Sequence, residues 1–257
     1  MISYKIGVIA FTTFKEIWKS KILLNVFFIG IGLMTVTFIA TEFTFGVPER
    51  IALDFGLGML SLSSLGISLF LGVTLLAKEI DSRTVYMVIS RPVPRYAFII
   101  GKILGLMAIQ VINVGILSTM TMLTSYFLGG ELNSLIIWAI SFTLLESLML
   151  LLVVVFISLI TNNILTVLIS LVLLLAGHAV RETQNISFVK SNELFVALLD
   201  FYHFILPAFY KLNLKDEVIY KSFLPLDYLV NSALYGLLYS SFLLAAIVYY
   251  FNKKNLD

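Results

Sequence analysis

Glu146 is the residue whose chemistry fits its surroundings least well. It lies within an apolar run from 135 to 160 and is the one charged side chain that falls deep inside such a run. A carboxyl group in a bilayer interior costs roughly 3 kcal/mol or more on insertion scales, so it tends to face a partner. Two interpretations follow: a proton or ion site, or a carboxyl hydrogen-bonded to a neighbour such as Gln110 or Asn113. An ion relay would need a second acid in another apolar run, so the hydrogen bond is favoured.

Small polar residues recur at helical spacing in two other apolar runs. They are Ser61, Ser64, Ser68 and Gly72 in one run, and Asn163, Thr166, Ser170 and Gly177 in the other. Such stripes let helix backbones approach closely in lipid. Close packing is the simpler interpretation. The alternative is a polar pathway that faces a substrate and is lined by Ser61, Ser64, Ser68, Thr166, Ser170 and Glu146.

The stretch from 78 to 102, KEIDSRTVYMVISRPVPRYAFIIGK, combines charge, turn residues and a short amphipathic run between two long apolar segments. Asp81 or Ser82 can cap a short helix. Pro92 and Pro94 then end that helix, because proline lacks an amide hydrogen and restricts the residue before it. Pro94 also suits the first turn of a following helix. The stretch therefore predicts two helices joined by a rigid turn outside the membrane.

Composition places these residues in a membrane protein. The 257 residues are 60% hydrophobic and 12% charged, and the mean hydropathy is +1.03, whereas soluble chains are roughly half apolar and one-quarter charged. Six apolar runs reach the roughly 17 to 25 residues that cross a hydrocarbon core of about 30 Å. They cover 22–40, 57–77, 103–128, 135–160, 164–180 and 230–251. The predicted fold is a single-domain, all-α polytopic membrane protein with six transmembrane helices.

The connections between these runs differ in length. They are 41–56, 78–102, 129–134, 161–163 and 181–229. In the last connection, Ser191 can cap a helical pattern that continues until Pro207. Asp200 and His203 are three residues apart, but no third metal ligand is in view, so a solvated or interfacial pair is preferred to a metal site. Cys is absent, which excludes disulfides and thiolate metal sites.

Residues 1–21 predict a separate helix ahead of the first span. Its apolar side would carry Ile2, Ile6, Ile9, Phe14 and Ile17, and its polar side Lys5, Thr12, Glu16 and Lys19. Such a helix lies in the membrane interface, although a cytoplasmic extension of the first span fits the pattern equally well. No small-residue cleavage site follows the first apolar run, so we expect the first span to remain in the mature protein.

Lys and Arg near the ends of the spans predict the orientation, because they favour the cytoplasmic side. Most of them precede the first span, separate the second span from the third, or follow the sixth. These are Lys5, Lys15, Lys19, Lys21, Lys78, Arg83, Arg91, Arg95, Lys102, Lys253 and Lys254. We therefore expect both termini and the 78–102 stretch on the cytoplasmic side of the cell inner membrane, and 181–229 outside. The net charge of +2 does not indicate nucleic-acid binding.

The run KEIDSRTVYMVISRPVPRYAFIIGKILG resembles the segment after the second helix in ABC type-2 transporter permeases. In those proteins an acidic residue, a Ser-x-Thr, a basic-Pro turn and a Gly-Lys precede the third helix. The matching residues are Glu79, Asp81, Ser82, Thr84, Arg91, Pro92, Arg95, Gly101 and Lys102. Arg83 stands where many members have Gly, and Pro94 where many have Ser. The resemblance covers essentially the whole chain, and LPAFYKLNLKDEV in the long connection resembles the subgroup of the nitrous oxide reductase maturation permease.

This resemblance implies the exporter-like (type V) fold, with two permease subunits, expected to be two copies of this chain, joined to two ABC ATPase subunits. A coupling helix at 81–89 would dock into each ATPase. The coupling residues would be Glu79, Asp81, Ser82, Arg83, Thr84, Arg91, Pro92 and Arg95. The sequence contains no G-x-x-x-x-G-K-[ST] phosphate loop, so ATP and Mg²⁺ would bind the partner, and this chain would hold no cofactor. The preference of basic residues for the cytoplasmic side can by itself explain Lys78 and Lys102.

Three functions are compatible with these features. The first is ATP-driven export or extrusion of a hydrophobic or amphipathic substrate by a non-catalytic permease. The second is mechanical transmission to an exterior accessory protein through 181–229, with little transport. The third is an intramembrane enzyme, which requires paired acids or a His near a nucleophile. Glu146 alone, with His178 near an exterior helix end, does not provide that arrangement.

Overall fold

The computed structural model describes residues 2–42, 48–81, 94–131, 133–185, 206–220 and 224–253. Within these ranges all regular secondary structure is helical, which confirms the predicted all-α class. The helices are α1 Ile2–Lys19, α2 Ile22–Glu42, α3 Pro48–Asp81, α4 Arg95–Phe127, α5 Ser134–Ser158, α6 Asn163–Asn185, α7 Lys215–Ile219 and α8 Leu226–Lys253, with a 3-10 turn at Phe209–Leu212.

Among the described residues, four helices are long and apolar enough to cross a membrane. They are the Pro48–Thr74 part of α3, and α4, α5 and α8. The apolar parts of α2 and α6 are shorter, Val26–Glu42 and Asn163–Ala179. Each of the six predicted apolar runs falls on one of these six helices. Length and composition therefore fit a membrane protein.

Two helices begin well before their apolar runs. α3 starts at Pro48, so the second half of the predicted 41–56 connection is helical. α4 starts at Arg95, eight residues before its apolar run, and Pro94 occupies the cap position with φ −67° and ψ 143°. Charged and polar residues are compatible with a helix but not with lipid. Hydropathy therefore marks the part of a helix that can face lipid, not the whole helix.

α4 and α5 form the centre of the bundle. Fully buried side chains include Ile99, Ile103 and Ile109 on α4, and Phe142 and Leu150 on α5. α3 packs against both helices, α1 packs along α4, and α8 packs against α5. The outer faces of α2, α6 and α8 expose many large apolar side chains, as expected of helices that face lipid.

Contacts between the long helices fix their directions. The pairs are Ser68 with Ser147, Gly72 with Val154, Ser64 with Gln110, and Gly56 with Thr121. α3 and α5 therefore run in the same direction, and α4 runs opposite to both. We call the end of the bundle where α3 begins the Pro48 end, and the end where α3 finishes the Asp81 end.

α1 lies against the first turns of α4, at the Asp81 end. A Cβ atom added at Gly101 would lie 2.8 Å from Cβ of Ile9. One added at Gly105 would lie 2.7 Å from Cβ of Thr13 and 2.8 Å from the carbonyl oxygen of Ala10. Two glycines four residues apart thus let the backbones of α1 and α4 approach closely.

The two sides of α1 have different surroundings. On the predicted apolar side, Ile9, Phe14 and Ile17 pack against the hydrophobic core of the bundle. Another side exposes Tyr4, Phe11 and Trp18. Tyr and Trp are enriched where helices meet the membrane–water interface. The amphipathic pattern of residues 1–21 therefore corresponds to a helix that is buried on one side only.

Residues 206–220, which we call the inserted segment, return into the bundle from the Pro48 end. The buried apolar side chains of this segment are Ala208, Phe209, Leu212, Leu214 and Val218, and the segment packs against α3, α5, α6 and α8. Leu212 approaches Gly236 of α8, which Leu145 of α5 also approaches. Leu145 lies roughly 17 Å along α5 at 1.5 Å per residue. Irregular backbone at that depth is shielded from lipid by protein, as a bilayer requires.

Candidate functional site

Glu146 lies at the middle of α5, where its carboxyl group contacts an imidazole from α6. Its Oε1 atom is 2.8 Å from Nε2 of His178. The Glu146 side chain is 3% exposed and that of His178 is 30% exposed. Glu146 lies roughly 18 Å from the start of α5, by the rise per residue of a helix. The carboxyl group therefore has a partner, as expected of an ionisable group at this depth.

The partner of Glu146 is not one of the two that the sequence suggested. Gln110 donates a hydrogen bond from Nε2 to the carbonyl oxygen of Ser64 over 2.8 Å. Neither polar atom of the Asn113 side chain has a hydrogen-bond partner in the described part of the chain. The predicted bond from Glu146 to Gln110 or Asn113 is therefore wrong. His178 was missed because its apolar run was expected to end at 180, whereas α6 continues to Asn185 and places His178 about two turns inside the helix.

The inserted segment covers the His178 side of this contact. The fully buried ring of Phe209 stacks against the imidazole with their centroids 6.1 Å apart. Gly177 permits this approach, because a Cβ atom there would lie 2.5 Å from the carbonyl oxygen of Pro207 and 2.6 Å from the Phe209 ring. Glu146, His178 and Phe209 therefore form one arrangement, which we call the acid–imidazole site.

Polar contacts also hold the inserted segment to α3 and α8. The backbone N–H of Ala208 donates to Oη of Tyr235 over 2.8 Å, and Nζ of Lys211 lies 4.8 Å from the centroid of the same ring. Nζ of Lys215 lies 2.7 Å from Oδ1 of Asp54. These contacts connect the acid–imidazole site to the Pro48 end of α3.

The acid–imidazole site can hold or pass a proton, because a carboxyl group and an imidazole lie within hydrogen-bond distance. A metal ion in a protein usually has more ligands than the two side chains of this site. The described residues contain no cluster of three or more His, Cys, Asp or Glu that could hold a metal ion. Hydrolysis would need a nucleophile and oxyanion donors at the same point. The observed contact is a hydrogen bond that links α5 to α6 inside the bundle.

The serine stripe of α3 faces α4 and α5. Ser64 and Ser68 are fully buried, whereas Ser61 is half-buried. Oγ of Ser68 donates to the carbonyl oxygen of Ser147 over 2.7 Å, and the Ser64 carbonyl accepts the hydrogen bond from Gln110. In this conformation the stripe is a packing surface. We call Ser64, Ser68, Gln110 and Asn113 the polar seam.

Two residues of the polar stripe of α6, Thr166 and Ser170, are buried in the bundle. Thr166 is fully buried, and its Oγ1 lies 2.8 Å from the carbonyl oxygen of Asn162 and 2.9 Å from Oγ1 of Thr161. Ser170 is fully buried as well. Thr166 lies twelve residues before His178, roughly 18 Å along the helix. The six predicted pathway residues lie on three helices: Ser61, Ser64 and Ser68 on α3, Glu146 on α5, and Thr166 and Ser170 on α6.

Three of the predicted coupling residues, Glu79, Asp81 and Arg95, lie at the Asp81 end. α3 continues through Glu79 and ends at Asp81. Arg95 is the first residue of α4. The remainder of the predicted coupling helix and turn lies outside the described residues, including Ser82, Arg83, Thr84, Arg91 and Pro92. The predicted helix from Ser191 to Pro207 and the Asp200–His203 pair also lie largely outside them.

The Asp81 end is held together by contacts among α1, α4 and α8. Phe98 of α4 stacks on Phe251 of α8 with ring centroids 6.2 Å apart, and Nζ of Lys102 lies 5.9 Å from the Phe98 centroid. Gly101 and Gly105 bring α1 against the same part of α4. The spacing of these glycines was the available sequence signal for this contact.

Comparison of the sequence with models of known protein families and with curated proteins gives no match. Function is therefore inferred from the residues and their geometry.

Proposed function

We propose that this chain is the permease subunit of an ATP-driven transporter of the ABC type-2 kind. It would export or extrude a hydrophobic or amphipathic substrate with energy from a separate ATPase subunit. The proposal includes six membrane-spanning helices, both termini in the cytoplasm and a second copy of the chain as the other permease subunit. ATP and Mg²⁺ would bind the ATPase. This chain would contribute no catalytic group.

One observation carries the proposal: the charged, proline-containing segment 82–93 connects the two longest helices at one end of the bundle. α3 has 34 residues and α4 has 33, which correspond to about 50 Å each. The hydrocarbon core is about 30 Å thick, so both helices extend beyond it. A partner that moves segment 82–93 would displace two continuous helices.

The packing at the Asp81 end supports this role. α4 is held there by α1 through Gly101 and Gly105 and by α8 through Phe251. Displacement of the start of α4 would therefore move three helices together. Packed helices respond to such forces by changing between discrete arrangements rather than by continuous deformation.

Mechanical transmission is the second candidate, and one observation favours it. The inserted segment is packed into the bundle through Phe209 and Leu212 and joined to α3 through the Lys215–Asp54 ion pair. A movement of α3 would therefore reach the long connection between α6 and α8. If an exterior accessory protein binds that connection, the permease could drive it with little transport.

The test uses the double variant Arg91→Glu with Thr84→Arg, expressed with a tag in the native host. We expect it to lose the copurified ATPase subunit and its stimulated ATP hydrolysis, because both changes place charge and bulk in the proposed docking segment. Glu131→Arg, at the exposed Pro48 end, is the matched charge-reversal control and should retain both. A double variant that copurifies and stimulates ATP hydrolysis like the unmodified chain would contradict docking at this segment. An unmodified chain that never copurifies with an ATPase would overturn the whole proposal.

A further inference from the structure

We propose that the polar seam is a cryptic binding surface for uncharged, hydrogen-bonding groups, and that it opens when α3 moves away from α4. The seam contains buried side-chain atoms that have no hydrogen-bond partner within the described residues. Gln110 and Asn113 are both 0% exposed. Oε1 of Gln110 and both Oδ1 and Nδ2 of Asn113 have no hydrogen-bond partner within the described residues.

Burying these atoms without hydrogen-bond partners raises the free energy of this conformation. A side-chain amide offers two acceptor sites and two donors, and a buried polar group without a partner loses its hydration without compensation. The atoms have essentially no accessible surface, so neither water nor lipid reaches them here. A second conformation in which they meet water or a ligand would recover that free energy.

The geometry indicates where such a conformation would open. Gln110 and Asn113 are three residues apart and lie on one side of α4. Gln110 is bonded to the Ser64 backbone of α3, so this part of the seam lies between α3 and α4, the two helices that segment 82–93 connects, whereas Ser68 is bonded to α5. A force on that segment would move α3 relative to α4. Opening would break the hydrogen bond between Gln110 and Ser64 and would expose both side-chain amides beside Ser64.

The residues around the seam define the class of ligand. α3 carries no charged residue between Asp54 and Lys78, and α4 carries none after Lys102. Glu146, the nearby acid of α5, is bonded to His178 instead. A charged group in such surroundings would lack a counter-charge. Hydroxyl and amide groups of an uncharged or amphipathic molecule match the exposed donors and acceptors.

The test uses the absence of cysteine from the chain. Asn113→Cys reports on the seam, and Ser64→Cys is a second, nearly isosteric reporter in case the first variant fails to fold. Ile109→Cys, on the same helix and equally buried, is the control for general loosening. Native membranes carrying each variant would react with a neutral hydroxyethyl methanethiosulfonate, with and without ATP and Mg²⁺. The ATP dependence rests on the proposed function; the opening of the seam does not.

We expect ATP to raise the labelling rate of the Asn113→Cys and Ser64→Cys variants about tenfold, as it would if the open state rose from about 1% to about 10% of molecules. The labelling rate of the Ile109→Cys control should not change.

An anionic sulfonatoethyl reagent should react with the seam cysteines about tenfold more slowly than the neutral reagent, because a desolvated charge is disfavoured. For this comparison, the rate of each reagent is divided by its rate at the exposed control Asn213→Cys. Equal rates for both reagents would contradict the ligand class.

The outcomes separate this inference from the proposed function. If an ATPase copurifies and responds to the chain, but the seam cysteines label no faster than Ile109→Cys, the inference is wrong and the proposed function stands. If the seam cysteines label faster than Ile109→Cys without any ATPase or ATP effect, the seam opens and ATP-driven transport is wrong. Equal acceleration of all three positions would indicate loosening of the bundle and would overturn the inference.

Discussion

Glu146 and His178 illustrate how a single ionisable residue is accommodated inside an apolar bundle. The carboxyl group lies halfway along α5, almost fully buried, and a single imidazole on α6 provides the observed hydrogen bond. The ring of Phe209 stacks against that imidazole. Since each polar group depends on the other, removing one partner should cost more than removing both.

We predict that His178→Phe lowers the free energy of unfolding by about 1 to 3 kcal/mol, because it leaves the Glu146 carboxyl buried without a partner. Glu146→Gln retains a hydrogen-bonding group and should cost less. The double variant His178→Phe with Glu146→Leu should cost less than the sum of His178→Phe alone and Glu146→Leu alone. Denaturant unfolding in detergent micelles measures each value. Additivity to within about 0.5 kcal/mol would show that the two residues are not coupled.

At the scale of helices, the contact between α1 and α4 depends on the absence of side chains. Gly101 and Gly105 face Ile9, Ala10 and Thr13 at distances that no side chain would allow without movement. This contact makes an amphipathic helix part of the bundle. It also lies beside the proposed coupling segment.

We predict that Gly105→Val displaces α1 and destabilises the protein by about 1 to 3 kcal/mol, as expected of overpacking at a tight contact. Gly115→Val is the matched control, because a Cβ atom at Gly115 on the same helix meets nothing within 4 Å. Thermal unfolding and protease sensitivity of residues 1–21 report the two effects. Similar behaviour of both variants would mean that the α1–α4 contact is not close in the membrane.

The inserted segment is an element that is held mainly by apolar burial. The Lys215–Asp54 ion pair is partly exposed, with 35% and 52% exposure of the two side chains. A pair of this kind contributes about 0 to 1 kcal/mol, whereas burying a side chain such as Phe209 contributes about 1.5 to 3 kcal/mol. The ion pair therefore positions the segment more than it stabilises it.

At the scale of the whole molecule, the arrangement of the helices predicts which parts of the chain share a side of the membrane. α1 and the end of α8 both lie at the Asp81 end, since Phe98 near the start of α4 contacts Phe251. The inserted segment enters from the opposite end. If all six long helices cross the bilayer, the two ends face different compartments.

We predict that Thr12→Cys and Asn252→Cys react with an impermeant thiol reagent from one side of the membrane, and that Asn213→Cys reacts from the other. All three positions are exposed, and the chain has no other cysteine. Because Lys and Arg are in excess at the Asp81 end, we expect Thr12 and Asn252 on the cytoplasmic side. Labelling of the Thr12→Cys and Asn252→Cys variants from opposite sides would require an odd number of spans and would contradict the six-span arrangement.

The sequence by itself determined the helical class and the approximate position of each long helix, because an apolar run of sufficient length in lipid must satisfy its backbone internally. It placed Glu146 in the interior and indicated that the carboxyl group needs a partner. It did not identify His178, which is 32 residues away and whose depth depends on where α6 ends. It could not place residues 206–220, because Phe209 and Leu212 belong to no long periodic run and are buried only by α5, α6 and α8. Tertiary structure decided these features because burial of a short segment and pairing of distant polar groups depend on how helices pack, which local sequence patterns do not specify.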